Sequence, residues 1–326
     1  MKAIGGYPEL ELRKGEHYHK DAIKLNTARN CLEYILLARK YRKVYVPYYT
    51  CEAVFEPFRK PGVSCKMEFY HINEQLDPSE LPELKEGEAF LYTNYFGLKQ
   101  DTVERLASLY GNRLIVDNSQ AFYDMPLPGI DTFYSARKFF GVPDGAYLYT
   151  DRFLDDYHGV EIEPDISYDR MQALLKRIDL DAEEGYCDFQ EVERLLCEQP
   201  IKRMSKLTEA ILCNINYEGV LTSRRDNYSI LDRSLFHKQN IHIKLNDKAV
   251  PLCYPFLTTS TELRKNLIEN RIYIPTYWHN VIAECKKTNI EYNYATNLIP
   301  LPIDQRYNET DIERIINIIK YIQNES

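Results

Sequence analysis

Tryptophan occurs once in the 326 residues, no cysteine pair has the CxxC spacing, and no apolar run approaches the length that crosses a bilayer. Each absence excludes something. Without a long apolar run, a membrane-spanning protein is not expected. The opening MKAIGGYPELELRKG lacks the apolar centre of a signal peptide, so the chain is expected to stay in the cytoplasm. The eight cysteines, at 31, 51, 65, 187, 197, 213, 253 and 285, show neither zinc-ligand spacing nor a short secreted framework. No metal site is expected, and the thiols are expected to be reduced and mostly in the core. Repeats, low-complexity tracts and Gly/Ser linkers are also missing. Basic residues are outnumbered, 41 Lys and Arg against 49 Asp and Glu, for a net charge of −8. That argues against a broad nucleic-acid surface and is compatible with a local basic pocket for a phosphorylated ligand.

What is present is a chain of 44% hydrophobic residues, long enough for one large core and a smaller second unit. Up to about residue 150, short β-rich runs alternate with helical periods. KVYVP, CKMEFYHI, EAFLYTNYFG, RLIVDNSQ, Thr132-Phe133-Tyr134 and Ala146-Tyr147-Leu148-Tyr149 read as strands. QDTVERLASLY puts Val103, Leu106, Ala107 and Tyr110 on one helical face before Gly111. Such alternation predicts an α/β protein with a mostly parallel central sheet covered by helices. Beyond a boundary near residue 200, a long helical region from Ser205 leads into a smaller α/β unit, giving domains of 1–203 and 204–326. Strands are expected there near HIKL, VPLCYPFL and IYIPTYW, and capping boxes at Thr259-x-x-Glu262 and Thr310-x-x-Glu313. Ile312, Ile315, Ile316 and Ile319 form a stripe expected to be core.

Ligands of open parallel sheets sit at the carboxyl ends of the strands, and several polar residues fall there. Asp117 ends the run Leu114-Ile115-Val116, with Gln120 three residues on. Ser135 follows a strand, and Lys138 lies three residues beyond it, between Arg137 and Phe139-Phe140. Thr27 is a plausible N-cap whose helix would offer free N–H groups to a phosphate, with Arg29 beside them. A lysine in apolar surroundings commonly snorkels, and an Asp at a strand end is commonly a turn residue. Taken together, an amine for a Schiff base, a carboxylate for a pyridinium N–H and a phosphate cradle match the protein side of pyridoxal phosphate binding. Desolvation and Arg137 would then lower the pKa of Lys138. Ser135-x-x-Lys138 also matches the nucleophile motif of penicillin-binding proteins, but neither of its companion motifs occurs.

The order IGGYPELEL, ARNCLEYIL, VYVPYYTCEAV, TNYFG, LIVDNSQAFY, SARKFFGVPDGAYL and MSKLTEAIL resembles the DegT/DnrJ/StrS sugar aminotransferases. The likeness runs over most of the first 230 residues. It implies a fold-type-I pyridoxal-phosphate transferase with a large cofactor domain and a smaller C-terminal α/β domain. By that resemblance Asp117 pairs with the pyridine nitrogen, Gln120 and Asn94 lie near the ring, and Lys138 forms the Schiff base and then shuttles the proton. Ser135 and the Ala28-Arg29 turn hold the phosphate. Ala28-Arg29 replaces the family's Gly-Thr, Phe133 stands where its phosphate serine is usual, and Cys51 replaces its ring-stacking aromatic, with Tyr49 as the nearby substitute. The resemblance also implies a homodimer and a ping-pong transfer from glutamate to a nucleotide-linked keto-sugar. The pathway would be polysaccharide or natural-product synthesis. Arg203, Arg224, Arg225, Tyr277, Trp278 and His279 are candidates for the substrate wall. The rival readings are another pyridoxal-phosphate enzyme (lyase, dehydratase or amino-acid transferase) and a non-catalytic relative.

Overall fold

The computed structural model describes residues 4–154, 162–238, 241, 243 and 245–324. After an N-terminal stretch that is mostly exposed up to Glu16, strand β1 (Ile23–Leu25) leads into helix α1 (Ala28–Arg39). Then come β2 (Lys43–Pro47), β3 (Lys66–Tyr70), β4 (Glu88–Thr93), α2 (Gln100–Tyr110), β5 (Leu114–Asp117), β6 (Asp131–Ser135) and β7 (Ala146–Tyr149). These strands form one sheet in the order β1-β7-β6-β5-β4-β2-β3, in which β7 runs against both its neighbours and the other pairings are parallel. The strand runs recognised in the sequence before residue 150 are all in this sheet.

Both faces of the sheet are covered, which is why β4, β5 and β6 are buried at every position. Strand alternation sends Ala89, Leu91, Ile115 and Phe133 toward Cys31, Leu32, Ile35 and Leu36 of α1. The alternate set, Phe90, Tyr92, Leu114 and Val116, packs with Val103 and Leu106 of α2. Helix α1 starts at Thr27, whose side chain accepts the Asn30 N–H, and it ends at Lys40 in the left-handed conformation.

A helical stretch follows, with α3 (Gln172–Asp179) and α4 (Tyr186–Leu195). The long helical region from Ser205 is two helices, α5 (Lys206–Leu212) and α6 (Tyr217–Leu235), the second capped by Asn216. The C-terminal part holds β8 (Cys253–Leu257), α7 (Leu263–Glu269), α8 (His279–Glu284), α9 (Ile290–Asn297), β9 (Leu298–Pro302) and α10 (Glu309–Asn324). β8 and β9 pair antiparallel, and the Ile312, Ile315, Ile316 and Ile319 stripe of α10 is buried as expected. These residues join the same apolar cluster as Phe90 and Tyr92, so packing is continuous from the main sheet to the C-terminal part.

Several expectations need correction. IYIPTYW is not a strand; β8 pairs instead with the LIPLP run. The expected strand at HIKL lies partly outside the described residues, and its described positions carry no strand. The box before α10 is Asn308-x-x-Asp311, two residues earlier than expected. Asp311 Oδ2 accepts the Asn308 N–H at 3.0 Å, and Asn308 Oδ1 accepts the Asp311 N–H at 3.2 Å. The cap position of α7 is Glu262 and makes no side-chain cap bond. The cysteines are free, but only Cys31 and Cys253 are buried, and Cys187 and Cys197 are exposed.

Candidate active site

The parity that buries Leu91, Ile115 and Phe133 against α1 also sends Thr93, Asp117 and Ser135 to that face, at the carboxyl ends of β4, β5 and β6. Helix α1 begins at the same end. Its first turn is tied to the lysine turn by two short links: Gly145 N donates to Asn26 O at 2.6 Å, and Ala136 N donates to Gly145 O at 3.1 Å. Gly145 has φ +115, and a Cβ there would stand 2.8 Å from Thr208 Cγ2, so the link requires glycine. Asp144, beside it, is buried and accepts from Ser205 N and Ser205 Oγ, which fixes the Pro-Asp-Gly turn against α5.

Asp117 is 6% exposed and accepts the Ser119 N–H at 2.8 Å. Burial raises its carboxyl above the usual range; the hydrogen bonds from Ser119 and the positive charge of Lys138 oppose that rise. Asp117 ends β5 and the turn bearing Lys138 follows the neighbouring parallel strand β6, so the two share one edge of the sheet. The charge of Asp117 is also felt by the Cys31 thiol of α1, which burial above all pushes up. Lys138 itself departs from expectation: in the single chain it is exposed. Ala136 is the buried residue of its 3-10 turn, and Phe139 and Phe140 turn away into a separate cluster with Phe122 and Val142. The rings that flank the lysine in sequence thus pack elsewhere.

Ser135 is 9% exposed at the end of β6, and Ala28 and Arg29 form the first turn of α1. Arg29 Nη1 donates to Leu196 O at 2.8 Å, and its Nε, 3.4 Å from Glu56 Oε2, has no hydrogen-bond acceptor. Both ends of the buried Asn94 carboxamide are committed. Nδ2 donates to Asp124 at 2.8 Å, and Oδ1 accepts from Lys99 N at 2.9 Å. Gln120 Oε1 accepts the Phe96 N–H at 2.7 Å, which fixes the turn after β4. Asp124, which the sequence did not single out, has its carboxyl pushed up to about 6 by burial, against the hydrogen bond from Asn94.

The outer candidates divide by burial. Arg224 is 2% exposed, donates to Pro251 O and Leu252 O, and lies 4.5 Å above the Phe139 ring. Tyr277 stacks on Phe96 and Trp278 is buried, whereas His279 is exposed and Arg225 half-buried. Arg203 sits in bridges to Leu25 and Pro164. Tyr49 is fully buried against Tyr95, Trp278 and Tyr294, with an unpartnered hydroxyl, and so is a core residue. Glu193, which the sequence gave no signal for, pairs with Arg137 at 2.5 Å.

Comparison with solved structures finds the same architecture. A putative sugar aminotransferase of Streptococcus pneumoniae in its PLP form matches at TM-score 0.63 and 15% identity, covering 93% of this chain and 87% of that one. A DegT/DnrJ/EryC1/StrS aminotransferase of Brucella abortus matches at 0.58 and 12%, over 92% and 85%. NtdA of Bacillus subtilis with bound PMP matches at 0.63 and 14%, over 92% and 73%. The chain has the fold of these aminotransferases. No protein-family model matches the sequence, and no curated protein does.

The residues present fit the cofactor that this fold family implies. Asp117 is a buried acid at the carboxyl edge of the sheet, and the amine of Lys138 is open. The buried Nε atoms of Arg29, in the first turn of α1, and of Arg137, in the lysine turn, lack hydrogen-bond acceptors, donors suited to a phosphate.

Proposed function

We propose that this protein is a pyridoxal-phosphate-dependent aminotransferase that moves an amino group from glutamate to a nucleotide-linked keto-sugar. Polysaccharide or natural-product synthesis in the cytoplasm is the proposed setting. The observation that carries this reading is that Asp117 ends β5 and the turn bearing Lys138 follows the end of β6, the parallel strand beside it, so both lie at one carboxyl edge of the sheet. Relatives in fold described as sugar aminotransferases support the substrate class.

When bound, the cofactor supplies a reactive aldehyde on an electron-withdrawing ring. The chain's own groups would do the rest. Asp117 would hold a proton on the ring nitrogen, an interaction that relieves the penalty of its own burial. Lys138 Nζ would hold the aldehyde and, once the donor amine has taken its place, carry the proton from the donor Cα. Ser135, Ala28 and Arg29 would hold the phosphate, with Gln120 and Asn94 fixing the turns beside the ring. The division into 1–203 and 204–326 is part of this proposal, supported by the separate β8–β9 sheet. So is a homodimer, in which a second copy would cover the exposed Lys138. No helix among the described residues is long and apolar enough to cross a membrane.

The test is product analysis. Glutamate and a panel of keto-sugar nucleotides should yield 2-oxoglutarate and an amino-sugar nucleotide. Cofactor uptake without amine transfer to any of them would overturn the sugar assignment.

A further inference from the structure

The lysine turn presents Arg137 as well as Lys138, and Arg137 is already engaged. Its Nη2 donates to Glu193 Oε1 at 2.5 Å, with the arginine side chain 19% exposed and the glutamate 42%. Glu193 lies in the last turn of α4. The residues just beyond α4 lie over the start of α1: Leu196 O accepts from Arg29, and Gln199 O accepts Asn30 Nδ2 at 2.9 Å. Glu198 N donates to Glu56 Oε1 at 2.6 Å, on the carboxylate that faces Arg29. A carboxylate-bearing stretch of the chain is thus laid across the first turn of α1 and both arginines. Burial acts to raise the Glu193 carboxyl, but the charges of Arg137, Lys138 and Arg29 outweigh it and hold the group below its usual range.

Resting on the pyridoxal phosphate reading above, we propose that Arg137 joins Ser135 and the start of α1 in holding the cofactor's phosphate and that Glu193 is an internal anion occupying it, so that α4 has to release Arg137 before the cofactor is held. A carboxylate and a phosphate sharing one guanidinium in a half-buried space repel each other. The apparent affinity for the phosphate is therefore reduced by the fraction of molecules in which Glu193 keeps Arg137. The effect is specific to the phosphate end: a ligand without that group has no reason to displace Glu193.

The full chain, freed of cofactor, would be titrated with pyridoxal phosphate and separately with pyridoxal, followed by visible absorbance. Wild type, Glu193→Gln and Glu191→Gln are compared; Glu191 lies on the same helix and pairs with Arg194 in solvent. Glu193→Gln should tighten pyridoxal phosphate roughly tenfold and leave pyridoxal within about twofold; Glu191→Gln should do neither. Unchanged or weaker pyridoxal phosphate binding in Glu193→Gln, beside a wild type that binds, overturns the inference alone. Equal tightening of both ligands also overturns it. Absence of binding by every protein at all concentrations overturns the inference together with the cofactor reading.

Discussion

Asn26 and Gly145 are joined by a 2.6 Å hydrogen bond from the glycine N–H to the asparagine carbonyl, and through it the start of α1 is fixed to the lysine turn. Gly145→Ala attacks that joint directly. Its backbone at φ +115 disfavours any side chain, and the added methyl meets Thr208 Cγ2 at 2.8 Å and Met204 Cε at 3.4 Å. A loss of roughly 1–3 kcal/mol in urea unfolding is expected, together with weakened pyridoxal phosphate uptake, because the cradle and the lysine no longer hold their relative positions.

Asp117→Asn should separate stability from function. The carboxyl is buried and its pKa is raised, so the cofactor-free chain is penalised for carrying the charge at neutral pH. The amide keeps an oxygen to accept the Ser119 N–H. The variant is therefore expected to melt at or above the wild-type temperature without cofactor at pH 7, and to lose transamination by orders of magnitude. Thermal melts and single-turnover assays with glutamate check the two halves.

His19 gives the fold a pH dependence of definite sign. The ring is fully buried, 4.2 Å from Tyr134 and 4.8 Å from Phe122, and its Nε2 bonds to Phe122 O at 2.7 Å. Burial lowers its pKa to about 4, against the smaller opposing effect of the Phe122 carbonyl. The unfolded chain takes up a proton near 6.5 that the native chain refuses until about 4. Stability is full above that upper value, falls as pH drops through the interval, and levels below it, a change on the order of 3 kcal/mol. Urea titrations across this range should show a slope toward lower stability that is smaller in His19→Phe; His17, lowered likewise to about 4 by burial, adds to it, and Asp124, raised to about 6, opposes it.

At the opposite end of the sheet, Arg39 grips Asp131 with two bonds of 2.8 and 2.7 Å, both side chains almost wholly buried. Asp131→Ala leaves the guanidinium with only the exposed carboxylate of Asp151, 2.5 Å from its Nη2, and should cost about 3 kcal/mol. Because Asp131 begins β6 and Ser135 ends it, pyridoxal phosphate affinity of the folded variant should stay unchanged, as equilibrium titration would report.

Much of the large sheet was legible because β4, β5 and β6 are buried on both faces and therefore written as unbroken apolar runs. The β8–β9 pair was half legible. Its second strand, Leu298–Pro302, contains two prolines, which argue against a strand except at an edge, and the two-stranded sheet is all edge. The alternation of IYIPTYW imitates a strand, but Ile272, Ile274 and Trp278 are buried without a ladder. The start of α10 was displaced because Asn308-x-x-Asp311 and Thr310-x-x-Glu313 carry the same pattern two residues apart. At the site, strand ends announced Asp117 and Ser135. The exposure of Lys138 was hidden, since nothing local says that Phe139 and Phe140 leave it. Glu193 is 55 residues from Lys138 in sequence, and only the packing of α4 brings it to Arg137.

On the proposed function, Lys138 is the residue that holds the cofactor. The protein would be incubated with pyridoxal phosphate, reduced with borohydride, digested and mapped by mass spectrometry. The expected result is a reduced adduct on the peptide bearing Lys138, lost in Lys138→Ala together with the yellow colour. An adduct on another lysine, or a colourless protein that carries none, would contradict it.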